Sequence, residues 1–301
     1  MTGVHGIINI NKPIQWTSME VLRRIKRVTG QKKVGHAGTL DPQATGVLPI
    51  CFGQATRVME YLVDSPKTYR ASVRLGVSTD TYDSQGMVTD IRTANHVREK
   101  DIVRELQSFR GVFEQVPPMY SALKQDGQRL YNLARAGKDV IRAPREVQVY
   151  SLQIRKWNSP ELELDIDCGR GMYVRSLAHD LGVALGCGAH LSSLVRLRSG
   201  PFDISKSVTI EQVEEAALQR NWQSMMFPVD YPLLNLKAAI VQRPKNDAVR
   251  RGRDIYIGLH PEDGANGDMY RLYSEEGDFV ALIRPASVRG LWRAQKVFNI
   301  R

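Results

Sequence analysis

Cysteine is scarce in this chain, and the three present are far apart. Cys51, Cys168 and Cys187 form no CxxC spacing and have no paired histidines beside them. That pattern fits neither a zinc site nor a disulfide framework, so reduced thiols and no bound metal are expected. No apolar stretch approaches the roughly 20 residues a membrane span needs. The opening MTGVHGIINI also lacks a basic segment followed by a long apolar run. The expectation is a cytoplasmic protein. Also missing are GxxxxGKS/T, a GxGxxG after a strand, GxSxG and HExxH. Nucleotide-phosphate, dinucleotide, serine-hydrolase and zinc-protease chemistry have no support, and no cofactor is expected. Internal repeats and low-complexity tracts are absent as well.

Acidic residues are the minority charge. Asp and Glu number 32 against 42 Lys and Arg, giving +10 and a pI near 9.6. A polyanionic partner such as nucleic acid suits that balance better than an acidic protein surface. At 301 residues the chain can build one large core and a smaller module.

The chain opens as strand, turn and helix. GIINI reads as a strand, and TSMEVLRRIKRVTG as a helix capped by Thr17 or Ser18 and ended by Gly30. GVLPICFG is a compact apolar run, and ATRVMEYLVDS has helical spacing. KTYRASVRLGV alternates, with Tyr69, Ala71, Val73 and Leu75 on one face. In VREKDIVRELQSFRG, Ile102, Val103, Leu106 and Phe109 predict one apolar helical stripe. Residues 115–147 are polar, basic, broken by Pro117, Pro118 and Pro144 and interleaved with aromatics, as an excursion from the core would be. ELELDIDCGRG predicts a strand with Leu162, Leu164, Ile166 and Cys168 inward, running into the helix MYVRSLAHDLGVALG. Thr209 and Gln212 spell a capping box. From about residue 236, RRGRDIYIG, GDMYRLYS and DFVALIRPA predict a small β module.

The stretch GHAGTLDPQATG, residues 35–46, has neither helical nor strand period. Gly35, Gly38 and Gly46 open backbone angles closed to other residues, while Pro42 fixes its own φ and keeps Asp41 out of the α region. Asp41 is then a turn former or a carboxylate aimed by a stiff loop. Arg175, in the first turn of its predicted helix, sits where the positive end of the helix dipole disfavours a cation. A nearby anion would compensate it. If that anion is Asp41, the arginine should lower its pKa and keep it ionised. Asp80 and Asp83 in LGVSTDTYDSQG are further carboxylates, although acidic residues after a strand are more often turn formers.

Four ordered blocks, GHAGTLDPQATGVLPICFGQATR, KTYRASVRLGVSTDTYDSQG, VPPMYSALKQDGQRLYNLARAG and GRGMYVRSLAHDLGVALGCGAHLSSLVRLRSGPF, resemble the bacterial TruB-type tRNA pseudouridine-55 synthases. The resemblance spans about residues 5–235. It implies an α+β catalytic domain over 1–235, with a mixed, largely antiparallel sheet flanked by helices and loops and an RNA-clamping insertion at about 115–147. A small β-barrel PUA-like RNA-binding domain over 236–301 would follow. The family usually has glycine where KPIQWTS has Gln15.

The resemblance further implies isomerisation of a uridine in the tRNA T-loop without a cofactor, by a monomer that needs no protein partner. Asp41 corresponds to the essential carboxylate, which either attacks C1′ or removes the C2′ proton. Arg175 corresponds to its arginine partner, and Tyr69 to the tyrosine that stacks on the uracil and takes part in C5 deprotonation. His36 corresponds to the histidine that supports the flipped base, Arg57 to a basic position near phosphate, and Tyr173 and Leu194 to pocket-lining residues. A non-catalytic RNA binder or chaperone on the same scaffold is one alternative reading. The guide-RNA-dependent branch of the superfamily is another, and VPPMYSALKQDGQRLYNLARAG favours the stand-alone type over it.

Overall fold

The computed structural model describes residues 3–300 apart from 122, 126, 138, 139, 258–267 and 289. Its main sheet follows from the alternating segments. The strand order is Gly6–Lys12, Ala44–Phe52, Ala189–Ser199, Lys67–Leu75, Glu161–Cys168, Arg145–Asn158 and Gly111–Gln115, with Val34–His36 and Phe202–Asp203 pairing at the side. Pairing is antiparallel except between Ala44–Phe52 and Ala189–Ser199. On Glu161–Cys168 the burial alternates as expected, with Leu162, Leu164, Ile166 and Cys168 at 1% exposure or less.

The helices begin where their caps are written. Thr17 caps Ser18–Thr29 with a reciprocal Glu20 contact, and Gly30 ends it at φ 66°. Thr209 and Gln212 do the same for Ile210–Leu218. Each such cap is worth about 1 kcal/mol. Helix Val174–Ala184 lies on the sheet with Val174, Leu177, Ala178 and Leu181 buried. In Glu99–Leu106 the stripe is narrower than expected: Ile102 and Leu106 are buried, whereas Val103 is 45% exposed. Ile102 and Leu106 are one turn apart, and Val103 points about 100° away from Ile102.

Residues 115–147 do leave the sheet, between the paired strands Gly111–Gln115 and Arg145–Asn158. They include a short hairpin, Lys124–Gln125 with Gln128–Arg129, and helix Leu130–Arg135. The C-terminal module is a five-stranded sheet in the order Lys237–Val241, Tyr270–Ser274, Phe279–Pro285, Leu291–Val297 and Ile255–Tyr256. It has its own core around Leu272, Val280, Ile283 and Trp292. Its Phe279, Leu282 and Phe298 join Ile7, Val47, Val58 and Val229 in a shared cluster, so apolar packing fixes the module against the larger sheet. The helix Arg243–Arg250 within it carries only Ala248 and Val249 as apolar residues after its Pro, too few to show a period in sequence. Among the described residues, no helix is long and apolar enough to cross a membrane.

Candidate active site

Three neighbouring strands form a floor. In register, Gly46 lies beside Arg196 and Arg196 beside Tyr69; in the next row Ala44, Leu194 and Ala71 are aligned. Directly paired residues share a face, so Tyr69, Leu194 and Arg196 point to one side. Strict alternation would also have put Arg198 there. Irregularities between Leu191 and Ser193 and between Arg196 and Arg198 change the phase. Arg196 thus stays inward at 1% exposure, while Arg198 turns out to pair with Asp167. Gly46 is required by proximity, since a Cβ there would lie 2.3 Å from the Arg196 carbonyl oxygen.

Asp41 hangs over this floor on a loop held from below. The Leu40 N–H donates to Ser18 Oγ at 2.9 Å, and the Pro42 carbonyl accepts from the Gln15 N–H at 2.8 Å and from Lys12 Nζ at 3.2 Å. Lys12 is fully buried and also donates to the carbonyls of Pro13 and Trp16. Burial pushes its pKa down to about 8 despite the opposing pull of Asp41. Gln15, where the family usually has glycine, does adopt the left-handed conformation, with φ 66°.

Arg175 is the second residue of its helix, after the N-cap Tyr173. Gln115, buried at 2%, brackets that N-cap: its Oε1 accepts from the Tyr173 N–H at 2.8 Å and its Nε2 donates to the Tyr173 carbonyl at 3.1 Å. The Arg175 Nε then stands 2.9 Å from Asp41 Oδ2 and its Nη1 3.5 Å from Asp83 Oδ2, with the arginine side chain only 6% exposed. Nη2 donates to the Tyr120 carbonyl at 2.9 Å, tying the insertion to the same guanidinium. The two carboxylates answer the unfavourable dipole, worth a few tenths to about 1 kcal/mol. Asp83 is both things the sequence allowed. Its Oδ1 accepts from Thr81 Oγ1 at 2.7 Å and from the Gln85 N–H at 3.0 Å as a turn former, while Oδ2 faces Arg175. Asp80 stays a turn residue, accepting from the Met87 N–H at 2.8 Å.

Arg175 lowers the Asp41 pKa as expected, but its surroundings outweigh that effect and the net shift is upward. The Asp41 side chain is 40% exposed, yet the protein crowded around it raises its pKa by desolvation; Arg175 pulls it back, and the like charge of Asp83 pushes it up again. One guanidinium shared between two carboxylates does not offset the desolvation of Asp41.

Asp41, Asp83, Arg175, Leu191 and Leu194 line a small cleft. Tyr69 lies on the floor one row from Leu194 and does not itself line the cleft; burial raises its phenol pKa, Arg196 pulls it back, and Asp41 is near enough to add to the rise. The Tyr173 phenol is likewise raised by burial, with Asp41 adding to the effect. His36 ends the short strand beside Ala44–Phe52, and its Nδ1 is buried without a hydrogen-bond partner. Burial, then the charge of Arg196, lowers its pKa. Arg57 is not brought to the cleft. Its guanidinium donates to the Val297 carbonyl and lies 5.1 Å from the Phe298 ring centroid, so it is engaged by the C-terminal module.

Sequence reasoning passed over Gln115, Lys12 and Arg196. Arg196 had a usable signal, because it stands two residues after Leu194, on the same face of an alternating strand.

Known proteins similar to this chain point to one family. Residues 26–174 match the model for the N-terminal domain of TruB family pseudouridylate synthases, and residues 175–234 that for the tRNA pseudouridylate synthase B C-terminal domain. The tRNA pseudouridine synthase B of Dehalococcoides mccartyi strain CBDB1 is 41% identical over 293 residues, covering 97% of this chain and 96% of that protein. Its counterpart in Pelotomaculum thermopropionicum is 43% identical over 282 residues, covering 91% and 89%. Among solved structures, a Cbf5–Nop10–Gar1 complex superposes with a TM-score of 0.74 at 26% identity, over 97% of this chain and 84% of that one. An H/ACA RNP bound to a substrate RNA containing 2′-deoxyuridine gives 0.73 at 25% identity, over 98% and 85%. With both domain models matched in order and relatives of this identity over nearly its whole length, the chain belongs to the TruB family of pseudouridylate synthases.

Proposed function

We propose that the protein converts uridine 55 in the T-loop of tRNA to pseudouridine, acting as a stand-alone cytoplasmic monomer. The observation that carries this is the 2.9 Å ion pair between Arg175 and Asp41 in a cleft that Asp83 and Leu194 also line. The target base is flipped out of the loop, at a cost of a few kcal/mol, and lies between Tyr69 and Leu194. Asp41, held by Arg175 against the sugar, attacks C1′ or removes the C2′ proton as the N1–C1′ bond breaks. The freed base turns, C5 bonds to C1′ as the Asp41–C1′ bond breaks or the C2′ proton is returned, the C5 proton leaves with help from Tyr69, and N1 takes up a proton. No atom is gained or lost, so no cofactor is consumed.

His36 supports the vacated stack, and Tyr173 closes one side of the pocket. Residues 1–235 are the catalytic domain and 236–301 a PUA-like RNA-binding domain. Arg57 serves their junction and not the reacting nucleoside, because its guanidinium is spent on Val297 and Phe298. Residues 115–147 clamp the T-arm through lysine and arginine contacts to phosphate and aromatic contacts to unpaired bases. The curated relatives near 40% identity are named tRNA pseudouridine synthase B, which favours the stand-alone reading over a guide-dependent one.

Purified protein incubated with tRNA transcript tritiated at uridine C5 should release label to water. A transcript with cytidine at position 55 should release none, and a bare T-arm hairpin should suffice as substrate. Release that persists without U55, or that requires a guide RNA, would refute this reading. Binding should weaken steeply with salt as phosphate counterions are released; an affinity indifferent to salt contradicts the clamp.

A further inference from the structure

Arg196 is a buried cation that the proposed reaction leaves without a task. Its Nε donates to the Val47 carbonyl at 2.7 Å and its Nη2 to the Gly38 carbonyl at 3.0 Å. These two acceptors bracket the segment that holds Asp41. No carboxylate among the described residues forms an ion pair with it, although it is 1% exposed. A charge buried without a counter-ion is unfavourable, and carbonyl acceptors alone could be served by a neutral donor. On the neighbouring strand it stands directly opposite Tyr69. Lys67, 6% exposed, continues the same face of that strand and also donates only to carbonyls, those of Leu62, Val63 and Ser65.

We propose that Arg196 is a positioning residue for the isomerisation: its guanidinium straps the Asp41 loop to the floor and sets an uncompensated positive charge behind Tyr69. This rests on the pseudouridine synthase reading. Breaking N1–C1′ leaves negative charge on the detached base, and removing the C5 proton requires Tyr69 to tolerate charge on its oxygen. A fixed cation in a dry site favours both without having to reorganise. Consistently, Arg196 holds down a Tyr69 phenol that burial would otherwise raise further.

The test compares wild type, Arg196→Lys and Arg196→Gln in single-turnover tritium release, RNA affinity and melting. A 3-fluorotyrosine at position 69 is titrated by ¹⁹F NMR in the same proteins. Lysine keeps the charge but not the forked strap and should slow turnover about 10-fold; glutamine loses both and should slow it about 100-fold. RNA affinity should stay within about 3-fold, because a buried side chain does not reach RNA, and the ¹⁹F midpoint should rise in the glutamine variant but not in the lysine variant. Equal rates for lysine and glutamine, or an unmoved ¹⁹F midpoint, would overturn the charge role. A lysine variant within about 2-fold of wild type would overturn the strap, and that arm stands even if the glutamine variant fails to fold. Wild type that releases no tritium would count against the pseudouridine reading, while the titration would still decide whether Arg196 acts on Tyr69.

Discussion

The two faces of the main sheet use the same residue types to opposite ends. On the outer face of Lys67–Leu75 and Glu161–Cys168, arginines and carboxylates form a ladder. Arg70 pairs with Asp165 at 2.9 Å, Arg74 with Glu161 at 3.1 Å, and Arg155 with Asp165 at 3.4 Å. Their arginines are 36 to 52% exposed. On the inner side, Arg175 at 6% and Arg196 at 1% are nearly dry. Exposed pairs of the first kind are each worth about 0–1 kcal/mol. Removing one member of a buried pair costs about 3–5 kcal/mol because the other charge is stranded. The carboxylates do not divide this way, since Asp41 is 40% exposed and Asp165 24%; the dry guanidinium is what sets the Asp41 pair apart.

That contrast can be broken by substitution. Arg175→Met should have the largest effect among the partners of Asp41: about 1,000-fold in single-turnover rate and about 3 kcal/mol in denaturant unfolding, since two carboxylates lose their cation. Because Arg175 pulls the Asp41 pKa down, its loss raises it. Asp41 must be ionised to act, so activity should fail at a higher pH on acidification. Asp83→Asn should slow turnover about 10- to 100-fold by loosening Arg175 and should move the acid limb the other way, because a like charge that raises the Asp41 pKa is gone. A pH–rate profile checks both signs. Across the sheet, a double-mutant cycle on Arg70 and Asp165 should return a coupling of about 0.2–1 kcal/mol and leave turnover within about 2-fold. The smallest change is Gln15→Gly, which relieves a non-glycine left-handed residue and should stabilise by no more than about 1 kcal/mol, read as a higher melting temperature.

Much of this was legible before any coordinates. The alternation of Lys67–Leu75 and Glu161–Cys168, the caps at Thr17 and Thr209 and the stop at Gly30 are local properties, and the chain realises them. The Arg175 argument worked because a cation at a helix N-terminus is a local anomaly that calls for a distant anion. What could not be read was phase and competition. The irregularities flanking Arg196 decide which arginine of RLRS faces inward, and nothing local in that segment marks them. The Asp41 pKa went the unexpected way because it depends on how many carboxylates share one guanidinium and how much solvent the fold removes. The contacts of Arg57 were out of reach for a related reason, since its partners Val297 and Phe298 lie some 240 residues away in sequence.

The most direct test pits two identical chemical changes against each other, one on each face. Single-turnover tritium release should fall by at least about 1,000-fold in Asp41→Asn while T-arm binding is retained, and should stay within about 2-fold of wild type in Asp165→Asn. Sustained turnover with asparagine at 41, or a comparable loss with asparagine at 165, would contradict the claim that the carboxylate paired with the buried Arg175 performs the chemistry.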